Sequence, residues 1–421
     1  MKFTRSLEFA RSLDQRDPLK TYRSKFHIPK IKGKTVHYFT GNSLGLEPKD
    51  AKKYINEELE DWARWGVEGH FHAKRPWLYY HKFSKKGLAK LVGAKPSEVV
   101  AMNQLTGNLH LMMTSFYQPT SKRFKIIAEA GAFSSDQYVF ESQIKLHNLN
   151  PADVLIELHP RAGEHTLRTE DILIAIEQHA GQLALVIFGA MHYYSGQFFN
   201  IKKITFAAHA AGAYAGFDLA HAIGNVPLSL HEADVDFAVW CSYKYLNAGP
   251  GAVAGAFVHD RHANSGLPRL AGWWGYEEGH RFQMKKGFVP MSGVDGWQLS
   301  NFPVLNGAAL MASLAVFDKA GMKALRKKST LLTGYLEFLL NEIDPQQGHF
   351  TIITPTDPEQ RGCQLSILMN KDGRKVFNKI TRLGVIADWR EPNVIRVAPV
   401  PLYNTFQDVF HFAALLKGAL R

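Results

Sequence analysis

Lys244 stands between two tyrosines in WCSYKYLNAGPG (240–251), just ahead of a glycine-rich turn and the apolar run GAVAGAFV. Trp240, Cys241, Tyr243, Tyr245 and Leu246 give it large or apolar neighbours. A buried ammonium is costly unless paired or neutralised, so a lysine here asks for a chemical task. Asp218 lies 26 residues earlier, directly after the strand-like AYAGF, and a second strand-like run separates the two. An amine and a carboxylate, each ending a strand of one parallel sheet, are what a pyridoxal phosphate site requires. The amine forms a Schiff base with the cofactor aldehyde, and the carboxylate keeps the pyridine nitrogen protonated so that the ring accepts electrons. Alone, Asp218 reads as a cap or strand-end turn residue and Lys244 as a solvated loop lysine. Together, and with the aromatic flanks, they favour the cofactor.

The elements around the pair alternate. KIIAEA (125–130), VLIEL (154–158), LALVIFG (183–189), AYAGF (213–217), FAVWC (237–241) and GAFVH (255–259) are short apolar runs. Helical patterns lie between the earlier ones: 134–149 with a Ser cap, a helix from Thr169, and one near 201–211. Such a series predicts an α/β fold with a mostly parallel sheet covered by helices on both faces. PKDAKKYINEELEDWARWG (48–66) reads as a helix with Ile55, Leu59 and Trp62 on one face and Gly66 at its end. After about residue 305 helices predominate, with GCQLSILM and VIRVAPV as strands, which indicates a smaller α+β domain. The expected division is an N-terminal segment, 1–50, contributing to the small domain, a large cofactor domain, 51–305, and the small domain, 306–421. Ligands of open α/β sheets bind beyond the carboxyl ends of the strands. There the segments GAFSSD, GAMHYYSGQ, DLAHAIGN and SYKYLNAGPG bring Asp, His, Ser, Tyr and Lys to one edge.

The 421 residues exceed the usual limit of one core, and 46% hydrophobic with 21% charged is ordinary for a soluble protein. The formal charge of +12 comes from scattered basic residues, so nucleic acid is not an expected partner. No apolar run is long enough to span a bilayer, and the N-terminus lacks a signal-peptide core, so no membrane is expected. Two cysteines imply no disulfide framework and fit a reducing cytosol. No metal is expected.

DLAHAIGN, DFAVWCSYKYLNAGPGAVAGAF, HYYSGQFFNI, YFTGNSLGL and IRVAPVPLYN together resemble kynureninase, a fold-type I pyridoxal-phosphate enzyme, from about Tyr38 to the C-terminus. The Asp-to-Lys spacing admits many aminotransferases, whereas SYKYLNAGPG together with RVAPVPLYN is far more specific. The resemblance implies a homodimer with active sites at the subunit interface. Its reaction is hydrolysis of L-kynurenine or 3-hydroxy-L-kynurenine to alanine and anthranilate or 3-hydroxyanthranilate, in tryptophan breakdown or supply to nicotinamide synthesis.

The same resemblance assigns roles. Lys244, Asp218 and Tyr243 would be catalytic, with Tyr243 a candidate proton relay. Phe133 would stack on the ring, and His221 would lie close to it. Leu105, Thr106, Tyr243 and Ser135 or Asp136 would surround the phosphate and ring edge. Trp273 and Asn301 would arrive from the partner subunit. Arg396 would grip the substrate α-carboxylate as a bidentate fork. His70 and the Ser300–Asn301 pair would face the aniline ring, where an imidazole and an amide favour a 3-hydroxyl; in the bland alternative His70 or His72 simply faces solvent. Gly189 departs from the Ser or Thr expected there and leaves only its backbone. Phe133, Trp273 and His221 also fit plain packing. A class V aminotransferase or cysteine desulfurase would share the fold. A desulfurase, however, needs a mobile nucleophilic cysteine, and Cys241 sits in a strand-like run while Cys363 precedes one. A catalytically silent binding module would be marked by loss of the lysine or aspartate, and both are present.

Overall fold

A computed structural model of the chain describes residues 2–421. Its larger sheet has seven strands: β1 (Val99–Ala101), β2 (Lys125–Glu129), β3 (Leu155–Leu158), β4 (Leu183–Gly189), β5 (Tyr214–Asp218), β6 (Phe237–Trp240) and β7 (Gly255–Val258). Their spatial order is β1-β7-β6-β5-β4-β2-β3. The run from β6 through β5, β4 and β2 to β3 is parallel. Along β4, Val186 and Phe188 enter the core on one face while Leu185 and Ile187 enter that on the other. Burial on both faces is why this strand reads as an unbroken apolar run. GAFVH does form a strand, but β7 runs antiparallel to both β6 and β1. The segment 241–254 between β6 and β7 contains no helix, and without a crossover the chain can only turn back.

A second sheet, all antiparallel, contains β8 (Phe350–Ile352), β9 (Leu365–Met369), β10 (Asp388–Arg390) and β11 (Val394–Val397) in the order β8-β9-β11-β10. The helices Met322–Ile343 and Phe406–Ala419 share a core with it through Leu336, Leu339, Ile367, Ile395 and Phe412. The N-terminal helix Leu7–Arg16 adds Ala10 and Leu13 to that core. The Asp14 carboxylate accepts from the Phe406 and Gln407 backbone N–H groups at 2.7 and 3.1 Å, capping the last helix of the chain. Asp17 forms a buried 2.7 Å ion pair with Lys328. The helix Val304–Ala320 gives Leu310, Leu314 and Phe317 to the core of the larger sheet.

The helix expected over 48–66 forms as Ala51–Trp65, with Gly66 after it. Its expected inner face is turned outward: Leu59 and Trp62 are 41% and 61% exposed. Glu58 is buried instead, because the segment that follows supplies it with three donors. Its Oε1 accepts from Arg75 Nε at 2.7 Å and Tyr80 OH at 2.9 Å, and its Oε2 from Trp77 Nε1 at 3.0 Å. Among the described residues no helix is long and apolar enough to cross a membrane. Glu58→Ala removes the shared acceptor of Arg75, Trp77 and Tyr80 and leaves Arg75 only its 2.9 Å pair with Glu57, so unfolding in urea should show a loss of about 1–3 kcal/mol; a loss no larger than that of a surface substitution would contradict this.

Candidate active site

β2, β4 and β5 are neighbours, and their carboxyl ends are Glu129, Gly189 and Asp218. Beyond them lies a cavity of about 210 Å³. Leu105, Thr106, Phe133, Ser135, Asp136, Gly189, Asp218, His221, Tyr243 and Lys244 all line it, as do Glu129, Met191, Tyr193 and Ala220. Ten positions taken from five separate segments of sequence therefore meet in one place.

Lys244 follows β6 in a loop held from two sides. Asn247, with φ of 54°, turns the chain and its N–H donates to the Lys244 carbonyl at 3.0 Å. From the N-terminal segment, Gly45 N–H donates to the Tyr243 carbonyl at 2.8 Å. A Cβ on Gly45 would meet Asn247 Oδ1 and the Lys244 carbonyl at 2.3 Å, so only glycine allows that approach. The ammonium of Lys244 lies over the Phe133 ring, 5.6 Å from its centre.

Asp218 is part-buried at the cavity wall and accepts from Ala220 N–H at 2.7 Å. Burial raises its pKa, while Lys244 opposes the rise. Asp136 sits against it and is held well above the carboxylate range by burial and by the Asp218 charge. The two carboxyls titrate as a pair, and the Asp218 charge is what adds to burial in raising Asp136. Burial, and next Lys244, drive His221 well below the usual histidine value, so its imidazole is neutral. Burial also raises the Tyr243 pKa and keeps its hydroxyl protonated.

Glu129 is the member that sequence reasoning missed. Its Oε1 accepts from Gly189 N–H at 2.8 Å, its Oε2 is buried without a partner, and burial pushes its pKa up to about 8. The only signal was an acid ending an apolar strand. It also explains the departure at position 189, where a Cβ would approach Glu129 Oε1 to 2.9 Å. A serine or threonine there would require the Glu129 carboxyl to shift.

The helices Leu105–Phe116 and Ser134–Leu146 both begin at the cavity without side-chain caps. Ser134 does not cap the second one, as its sequence suggested. It is already helical, Phe133 holds the cap position, and the first N–H groups stay available to an anion. Thr106 Oγ1 and Ser135 Oγ meet at 2.8 Å between the two helix starts.

Other expected members lie elsewhere in this chain. Trp273 is 41% exposed, and Ser300 and Asn301 are exposed, away from the cavity. His70 Nδ1 lies 2.9 Å from the Val67 carbonyl, and exposed His72 lies 3.8 Å from Glu68. Arg396 is buried behind Tyr193 and does not line the cavity. A separate titratable cluster of Glu98, His231, His259 and Asp260 is internally paired, with Asp260 also bound to Lys95.

Residues 325–416 match the family model of the kynureninase C-terminal domain. A kynureninase of Flavobacterium psychrophilum is 53% identical over 100% of this chain and 99% of its own length. One from Myxococcus xanthus is 55% identical over 100% and 98%. The chain belongs to the kynureninase family. Among solved structures, a mutant of the cystine C–S lyase C-DES with glycine covalently linked to its PLP cofactor aligns with TM-score 0.77 at 15% identity, covering 91% of this chain and 96% of that one. An apo cysteine desulfurase from Thermococcus onnurineus aligns with TM-score 0.76 at 15% identity, covering 99% of both. That likeness is one of fold, and it bears out the α/β architecture expected from the sequence. The thiol chemistry of a desulfurase has no support among the cysteines of this kynureninase-family chain. Cys241 and Cys363 are buried, and burial raises both thiols, Cys363 to about 12.

The raised pKa of Glu129 has a stability signature. Folded chain holds its proton up to about pH 8, while unfolded chain loses it near the ordinary 4.5. Stability from this group is therefore complete below the lower value and is lost as pH rises through the upper. Glu129→Gln does not titrate, so its stability relative to the parent should climb between about pH 5 and pH 8. Denaturant midpoints across that range measure it, and a flat difference would refute the assignment.

Proposed function

We propose that the chain is a kynureninase that holds pyridoxal phosphate and hydrolyses the Cβ–Cγ bond of L-kynurenine or 3-hydroxy-L-kynurenine. The observation that carries the reading is Asp218 and Lys244 on one cavity at the carboxyl edge of the sheet, in a chain more than half identical to named kynureninases. The residues present fit the cofactor. Lys244 would hold its aldehyde carbon, Asp218 its pyridine nitrogen and Phe133 its ring face. Leu105, Thr106 and Ser135, at two uncapped helix starts, would take its phosphate. When bound, the cofactor supplies an electron sink for charge developing on the substrate.

The chain's own groups do the rest. The Lys244 amine, free once substrate is bound, is the base closest to the substrate Cα and moves its proton. Tyr243, kept protonated by burial, can donate a proton beside it. Burial raises the pKa of Glu129 and Asp136, and Lys244 favours the charged form of Asp218, so Asp218 is the carboxylate best placed to present negative charge to the ring. Arg396 binds the α-carboxylate. Water adds to the γ-carbonyl, Cβ–Cγ breaks, and anthranilate (or its 3-hydroxy form) and alanine leave.

The protein acts as a homodimer in this reading, with Trp273, Ser300, Asn301 and His70 reaching the partner's cavity. Their position outside their own cavity supports it, as do the exposed Leu59, Trp62 and Phe71. Two free, buried cysteines fit the cytoplasm.

Anthranilate fluorescence from added kynurenine tests the activity directly. Lys244→Ala should abolish it while circular dichroism and the oligomeric state stay those of the parent; residual turnover above a trace would remove Lys244 from its role. For substrate preference, His70 and Asn301 near the aniline ring should make 3-hydroxykynurenine the better substrate. The kcat/KM ratio of the two substrates should then shift towards kynurenine in Asn301→Thr. Equal values in the parent, or an unmoved ratio in the variant, would count against that preference.

A further inference from the structure

Arg396, on β11, lies directly opposite Asp388, on β10, in the cross-strand register. Arg396 Nη2 donates to Asp388 Oδ2, Nη1 donates to the Tyr193 carbonyl at 2.8 Å, and Nε is buried without an acceptor. The same Asp388 oxygen accepts from Arg390 Nη2 at 3.2 Å. The two arginines differ in setting: the Arg396 side chain is 1% exposed and that of Arg390 35%. One carboxylate therefore stands between a buried guanidinium and a half-exposed one. Tyr193, whose carbonyl takes the other Nη, lines the cavity, and the Arg396 guanidinium lies 5.9 Å from its ring centre.

We propose that Asp388 is an internal carboxylate that occupies Arg396 until the α-carboxylate of the substrate displaces it onto Arg390, so that Asp388 sets how tightly and selectively α-carboxylate ligands bind. This rests on the reading of Arg396 as the α-carboxylate site. A guanidinium this deeply buried is too costly to leave without a counter-charge, and Asp388 is the anion that supplies it. The substrate offers a group of the same charge and planar shape, to which guanidinium can present two parallel N–H donors. The exchange conserves ion pairs. Arg396–Asp388 becomes Arg396–substrate, and Asp388 keeps its bond to Arg390 at the solvent side. Both arginines already reach one Asp388 oxygen, so Asp388 can pass to Arg390 without a shift of strand register, and Tyr193, between Arg396 and the cavity, must turn aside to admit the carboxylate. An amine lacking the carboxylate leaves the Arg396–Asp388 pair standing, so it neither bears the cost of displacement nor gains the contact with Arg396.

The test uses the holoenzyme and three ligands: kynurenine, the product L-alanine, and decarboxylated kynurenine as an inhibitor without the acid. Asp388→Asn keeps a hydrogen-bond acceptor and removes the competing charge. KM for kynurenine and the inhibition constant of alanine should both fall about fivefold, equivalent to ~1 kcal/mol, while the decarboxylated inhibitor is unaffected. A rise in both constants would make Asp388 a mere support for Arg396 and overturn the proposal, and unchanged constants would overturn it too. Should the Asn variant not fold, Arg390→Ala decides at a half-exposed position. Removing the second partner should raise both constants several-fold, and no change there would equally end the idea. Arg396→Lys separates the two levels. If it leaves KM untouched, the α-carboxylate reading itself fails; if it raises KM while Asp388→Asn also raises it, only the displacement fails.

Discussion

The carboxyl edge of the larger sheet is organised around the cost of buried negative charge. Glu129 and Asp136 are buried and Asp218 is part-buried, within one small cavity, so charge on Asp218 opposes charge on the other two. Burial raises the pKa of all three, and Lys244 opposes that rise most at Asp218, the second-largest influence on it. The edge therefore favours negative charge at the strand end beside Lys244. The neutral state of His221 follows from the same dryness. The backbone takes part too, since the Glu129 carboxyl is docked on Gly189 N–H and lies where a side chain at that position would displace it.

How much of this was legible depends on whether the cause is local. The strands were readable because sheet burial on both faces writes an apolar run, and Lys244 because its own neighbours are aromatic. The direction of β7 was not, since it is decided by a connection without a helix. The helix Ala51–Trp65 was visible, but its orientation was not, because the partners of Glu58 lie 17 to 22 residues further on and have no periodic signature. Glu129 escaped notice because an acid at a strand end is ordinary until its burial is known. Arg396 was recognisable as an arginine worth noting, whereas its engagement with Asp388 depends on a strand register.

The likeness to a cystine lyase and a cysteine desulfurase at 15% identity shows how little the scaffold decides. In this chain both cysteines are buried, while carboxyls, a tyrosine and a lysine line the cavity at the sheet edge.

The helix Leu7–Arg16 also fixes the order in which the protein can be completed. It precedes every strand of the larger sheet, yet its carboxylate Asp14 caps a helix starting at Phe406, and Leu13 packs in a core with Phe412. Its apolar stripe finds these partners only once Phe406–Ala419 has been made, whereas the larger sheet has all its strands by Val258. The smaller unit therefore closes after the larger sheet is complete, by joining positions 392 residues apart.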